Sequence, residues 1–496
     1  MNDNDDKVID ENNIIKKKKV DTIEVKPKKK SNKKNRRARR KYDQKITLTV
    51  KVDDFKIIER TFLRAIPKHS LNIKKYLIIV CIVLLISLGS FMAYKKYTEY
   101  QEEQRIIKEE KEHNKQVALI TSHYNQYVRV ATDSKLYKKK DDTFYEYGTA
   151  YKDSELELDE QEITYDTKYF YSSKMDVYIE YDKVEKIDSL TSYSDRFKSY
   201  IPFNQNIVTK DVFSLYDDNN KVWSFNESMS FPVIIKDYDG KYYVNYNNRL
   251  LYVLKEDVQK IVNAKNTSIS NASRITTLCY HRVYDTNEKC NDIYICKKKS
   301  NFDREMKYLK DNNYLTLTME ETYLYLTKKL QVPRRSVVIT LDDGHLIKSA
   351  IDVLEKYKLY ATSFVKSKAF DDLSGFKSDY LYLGSHTHNM HTPGVCPIER
   401  EYQQGGGILC LPSATVLNDL KTSREKLNNT IALAYPFYDY NERAINLVKQ
   451  AGFKIAFIGS NGVTGRSYPG INVYKVPRIT MWDNTSFETF KNYVTN

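Results

Sequence analysis

Three stretches of the 496-residue chain carry different hydrophobic patterns. Residues 76–94 (YLIIVCIVLLISLGSFMAY) run for nineteen positions without a charge. As a helix, at about 1.5 Å per residue, that run measures roughly 28 Å, close to the thickness of a bilayer core. From about 120 to 265, short alternating runs rich in Tyr, Val and Ile are separated by turn residues, the period-two pattern of half-buried strands. From 272 to 496, apolar runs alternate with helix-periodic stretches, which predicts an α/β architecture. Strands are expected at 275–280, 336–341, 361–365, 380–384, 431–435, 455–459 and 473–476, with helices at 302–312 and 319–330.

The formal charge of +15 changes the picture only once it is located. Residues 1–75 hold 24 Lys and Arg against 11 Asp and Glu, a net of +13 that leaves about +2 for the other 421 residues. A nearly neutral body argues against a nucleic-acid binder, and no nucleic-acid partner is expected. Fifteen of the basic residues lie between Lys16 and Lys41, upstream of the apolar run. By the positive-inside rule, 1–75 is a cytoplasmic tail, largely disordered, whose lysine runs suit anionic lipid headgroups. The expected topology is a single pass through the cell membrane at 76–94, an exposed charged stalk at 95–119, and an extracellular remainder.

The β-rich stretch contains an internal echo. Tyr169-Phe170-Tyr171, Val177-Tyr178 and 184–187 recur 74 residues later as Tyr243-Val244-Asn245, Leu251-Tyr252 and 258–261. Upstream, Leu136-Tyr137 and Phe144 have counterparts in Leu215-Tyr216 and Trp223 at a spacing of 79, which a five-residue loop indel would explain. Two small all-β modules are therefore expected, at 120–192 and 193–268, and they look like bacterial SH3-type units. Their aromatics serve either as core or as platforms for sugar rings.

Four motifs in 272–496 sit where strands should end, the edge at which chemistry gathers in α/β barrels. ITLDDG (339–344) presents adjacent carboxylates, Asp342 and Asp343. GSHTHNMH (384–391) packs three histidines into six residues, and five of the chain's eight histidines lie between 281 and 391. Imidazoles beside a carboxylate are a ligand set for a borderline divalent ion such as zinc. ALAYPFYDYN (432–441) runs from a strand into a proline turn, and TLCYHRV (277–283) places His281 after the first strand.

Together these motifs resemble the polysaccharide deacetylases of carbohydrate esterase family 4, the NodB-homology domain. The leading YHRV is similar to the circularly permuted subgroup that includes poly-N-acetylglucosamine deacetylases. The resemblance covers roughly 272–480 and implies a distorted (β/α) barrel. It implies that Asp343, His386 and His391 hold a divalent metal, zinc first. It makes Asp342 the general base on water and His281 the acid that protonates the departing amine. The backbone N–H of Phe437 would hold the oxyanion. Three departures stand out. The histidine pair is i, i+5 rather than i, i+4, with His388 as rival ligand. Ala434 replaces the family's arginine, for which Arg478 is a candidate substitute. Tyr438 replaces a glycine.

Of the six cysteines, Cys290/Cys296 and Cys396/Cys410 fall in loops, where extracellular placement permits two local disulfides and a reducing niche would leave free thiols. The expected function is a membrane-anchored, metal-dependent N-deacetylase of a cell-wall or surface glycan. Peptidoglycan is the first choice and a poly-N-acetylglucosamine exopolysaccharide the alternative. A non-catalytic wall-binding scaffold with a dead barrel is the reading from another class.

Overall fold

The computed structural model describes residues 73–495, apart from 287, 289, 291, 293, 401, 402 and 460–464. The basic tail and the alternating stretch 43–70 lie outside the described residues. The chain divides into two compact units, Met1–Tyr100 and Gln101–Asn496.

In the first unit, the described residues belong to a helix, Ile73–His123, that continues into the second. It contains an 18-residue window of mean hydropathy 2.6 on which none of the described residues packs, long and apolar enough to cross a membrane. The expected span and stalk are thus one uninterrupted helix. Its last turns are not a free stalk, because the His113 ring stacks on Tyr165 at 3.7 Å and Ile120 is fully buried among the strands that follow.

The repeat is visible in the strand pairing. In the first copy, Tyr127–Val130 lies between Glu155–Glu157 and Val184–Ile187. In the second, Gln205–Thr209 lies between Ser230–Pro232 and Val258–Asn263. The remaining strands of both copies join into one nine-stranded sheet through Thr143–Ala150 and Asn220–Phe225. One hydrophobic cluster runs from Val128 to Val253. The boundary expected at 192/193 therefore does not separate two cores. Gly148 sits at this seam, where a Cβ would collide with the Ser224 carbonyl. Register also corrects the echo. Leu136 pairs with Gly148 and Leu215 with Trp223, so Trp223 corresponds to Gly148 rather than to Phe144. Most of the length difference lies in that hairpin's longer arms, not in a separate loop.

The second copy is also built into the α/β region. Phe197, Ile234 and Ile235 share a buried cluster with Leu317, Met319 and Leu330. Arg196 and Tyr200 both bond the buried Glu321 carboxylate, which in turn caps the helix Met319–Leu326.

Residues 272–495 form a curled sheet with helices outside. Six parallel strands follow in order: Ile275–Tyr280, Ser336–Asp343, Ala361–Val365, Leu381–Ser385, Ala432–Ala434 and Ile455–Phe457. Coverage on both faces explains why they read as continuous apolar runs rather than alternating ones. The strand expected at 473–476 is reduced to a single bridge, Val476 to Phe457. Pro477, with no N–H to give, interrupts it, and pairing resumes at Ile479–Thr480 against the first strand. The segment 476–480 thus links the two edges of the curl.

Candidate active site

The strand Ser336–Asp343 is buried at all eight positions and runs two residues further than its apolar pattern, carrying both carboxylates into the sheet's C-terminal rim. Asp343 has φ 73° and Gly344 φ 83°, so the strand's alternation breaks there. Backbone strain at a non-glycine residue of this kind persists only where the surroundings impose it. His281, Lys366, His386 and Phe437 follow the ends of neighbouring strands at the same rim.

Asp343, His386 and His391 converge, each offering a ligand atom within 4.8 Å of the others. Asp343 Oδ1 lies 3.4 Å from His391 Nε2. His386 is buried, and its Nδ1–H donates to the Ala434 carbonyl at 2.8 Å, which fixes the tautomer and leaves Nε2 as the free lone pair. His388 turns away: its Nδ1 meets Ser367 Oγ at 2.9 Å, and its N–H donates to Asp419 at 2.8 Å. Of the two spacings, it is i, i+5 that the structure brings together.

These residues fit a divalent cation. One carboxylate and two imidazoles are suitable donors, burial pushes the His391 imidazole down to about 3, and Asp343 Oδ1 is buried with no hydrogen-bond donor in bonding geometry. The Lys366 ammonium, 3.1 Å from that oxygen, was not among the expected site residues, although its place directly after a strand end could have flagged it. It stands where a cation's charge would be felt. Lys366→Gln is therefore expected to bind zinc about tenfold more tightly, or about 1.4 kcal/mol, in a competition titration against a chromophoric chelator. Unchanged affinity would show that the ammonium moves aside without cost.

Asp342 has a different environment. Arg478 Nη1 and Nη2 donate to its two oxygens at 2.7 and 2.8 Å, with both side chains buried. Burial pushes the Asp342 carboxyl up, but the guanidinium outweighs it and holds the group well below the usual carboxylate range. Arg478 reaches Asp342 from the segment linking the sheet's edges, as expected of a candidate substitute for the arginine absent at Ala434. Its guanidinium is framed by the Phe364, Tyr438 and Phe457 rings at 5.5, 5.6 and 5.9 Å. Tyr438, in the glycine's place, adopts φ 59° after Phe437 at φ 57°. Its hydroxyl bonds Thr480 Oγ1 at 3.0 Å, and its ring occupies the space a Cβ on Gly459 would take. Cys279, a buried thiol pushed up to about 12 by burial, lies 3.6 Å from Asp342 Oδ2.

His281 lies close enough to Asp342 to form a second group with Cys279. Burial lowers its pKa, against the pull of Asp342 and Asp343. The Phe437 ring packs on His391 at 4.3 Å. Asp439, two residues on, accepts from the N–H groups of Gln404 and Gly406. This ties the glycine-rich insertion to the site. Both loop cysteine pairs, Cys290–Cys296 and Cys396–Cys410, are bonded.

Residues 329–456 match the polysaccharide deacetylase family. The chain carries a polysaccharide deacetylase domain. A poly-β-1,6-N-acetyl-D-glucosamine N-deacetylase of Staphylococcus aureus is 29% identical over 239 residues, covering 42% of this chain and 78% of that protein. A putative polysaccharide deacetylase of Bacillus subtilis is 24% identical over 238 residues, 45% of this chain and 76% of that one. The solved structure of IcaB from Ammonifex degensii is 19% identical, covers 46% of this chain and 99% of its own, and has a TM-score of 0.37. The residues before 329 and after 456, His281 and Arg478 among them, lie outside the family match.

Proposed function

We propose that this protein is a membrane-anchored, zinc-dependent N-deacetylase acting outside the cell on a poly-N-acetylglucosamine polymer. The observation that carries the reading is the convergence of Asp343, His386 and His391 beside the paired Asp342 and Arg478. The Staphylococcus aureus relative moves the first choice of substrate from peptidoglycan to a β-1,6-linked polymer. The exposed apolar stretch of Ile73–His123, with the basic residues before it, supports a single-pass anchor with the N-terminus inside.

A divalent ion held by Asp343, His386 and His391 would polarise the N-acetyl carbonyl and make water a stronger acid. Asp342, kept anionic and oriented by Arg478, accepts the proton of the attacking water. The Phe437 N–H, on the turn packed against His391, donates to the oxygen that becomes negative. His281 protonates the amine nitrogen as the C–N bond breaks. Burial makes its imidazolium a readier donor than an exposed one. The products are acetate and a glucosamine unit.

The test is acetate release by purified protein from β-1,6-linked N-acetylglucosamine oligomers and from peptidoglycan, before and after chelation. Release from the β-1,6 oligomers that stops on chelation and returns with zinc is the expected result. Release from peptidoglycan alone would restore the first expectation. Release from neither would leave the scaffold reading.

A further inference from the structure

A cavity of about 180 Å³ lies away from the catalytic rim, at the junction of the two β repeats. The first repeat contributes Glu155, the connecting segment Tyr193, and the second repeat Trp223, Tyr246 and Asn248. Its charged groups are all occupied. Glu155 is held by Arg129 at 2.9 Å, Arg249 by Asp217 at 3.0 Å and Lys198 by Asp195 at 2.6 Å. No free charge is left to select an ion.

The uncharged groups are the opposite. Trp223 is 2% exposed, yet its indole N–H meets no acceptor among the described residues, nor do the Tyr193 and Tyr246 hydroxyls or the Asn248 amide find a side-chain partner. None of these atoms is sealed away without a partner, and Asn248 is exposed; they open onto the cavity, where a ligand or water can bond an indole or phenol edge. Tyr193 is a fixed wall, because the Arg249 guanidinium lies 4.2 Å over its ring. Aromatic surfaces whose polar edges lack partners, in a charge-neutral recess sized for one ring, suit a neutral polyhydroxylated ring.

We propose that this cavity is a second, non-catalytic saccharide-binding site that holds an acetylated hexosamine unit of the polymer. The polymer's identity rests on the deacetylase reading above; the preference for a neutral sugar rests on the cavity alone. With no unpaired carboxylate in its wall, the site discriminates against a cationic glucosamine unit. It therefore retains unprocessed stretches of polymer and lets finished ones go.

The chain has two tryptophans, Trp223 and Trp482, so a Trp482→Phe protein reports on this cavity alone. Full-length protein in detergent, carrying Trp482→Phe and His386→Ala so that ligand is not consumed, is titrated with N-acetylglucosamine oligomers while tryptophan emission is followed. A saturable change is expected, at least tenfold weaker with the fully deacetylated oligomer. Adding Asn248→Ala should weaken it by a further tenfold or so. In an otherwise wild-type chain, Asn248→Ala should leave acetate release from a single-residue substrate unchanged. No emission change, or an equal response to dextran or to the deacetylated oligomer, overturns the proposal. Binding without any acetate release from the wild-type chain would sink the deacetylase reading and leave the cavity standing. Release without binding would do the reverse.

Discussion

Asp342→Asn should lower acetate release by about a thousandfold, within the range expected for removing a general base, while the protein keeps a full equivalent of metal. His386→Ala should lose both. The contrast follows from geometry. Asp342 is not in the ligand group, and its oxygens face Arg478 at 2.7 and 2.8 Å. His386 offers its Nε2 to that group because its Nδ1–H is committed to the Ala434 carbonyl. Parallel elemental analysis and acetate assays on the two variants separate the roles. A fully active Asp342→Asn would remove Asp342 as the base and turn attention to a carboxylate or imidazole elsewhere on the rim. An inactive His386→Ala that still retained its metal would break the ligand assignment instead. The asparagine change carries a second consequence, since its amide offers one acceptor to two guanidinium N–H groups, so some loss of stability accompanies the loss of rate.

The parts of the fold that sequence made legible are those set by local pattern. Ile275–Tyr280 and Ala361–Val365 occupy the expected positions because a strand buried on both faces must be an unbroken apolar run. The two β copies were legible for the same reason, through repeated strand sequences. Their fusion was not, since edge-to-edge pairing at Gly148 depends on two segments about seventy residues apart. In the site, DDG and the histidine cluster declare themselves by composition. The i, i+5 pair was already the expected one; what the sequence left open was that His388 turns onto Ser367 and Asp419, and the arginine's route. Arg478 follows a proline in a segment with little regular structure, and only closure of the sheet between Phe457 and Leu278 carries it to Asp342. Lys366 has the position of a site residue, directly after a strand end, but the residue type of an ordinary surface position.

Arg478→Met should be the most damaging single change for stability, lowering it by about 3–5 kcal/mol at pH 7, as expected when one partner of a buried pair is removed. The wild-type carboxyl of Asp342 sits well below its usual range because the guanidinium overcomes the effect of burial. Its contribution to stability is therefore present above the unfolded carboxylate's pKa, about 3.9, and lost only as the pH falls towards the lower folded value. Without Arg478, burial is opposed only by the pull of His386 and His281, and the folded pKa is expected to rise above 3.9. The sign then reverses. The variant is most stable below the unfolded pKa and weakens as the pH rises through the new folded value. Thermal unfolding of both proteins between pH 4 and pH 8 should show the gap widening with pH. Arg478→Lys should recover part of the lost stability but less of the activity, because one ammonium cannot hold both carboxylate oxygens in a fixed plane. A gap that does not change with pH would mean that Asp342 is not what Arg478 stabilises, and that the arginine matters chiefly for its packing among Phe364, Tyr438 and Phe457.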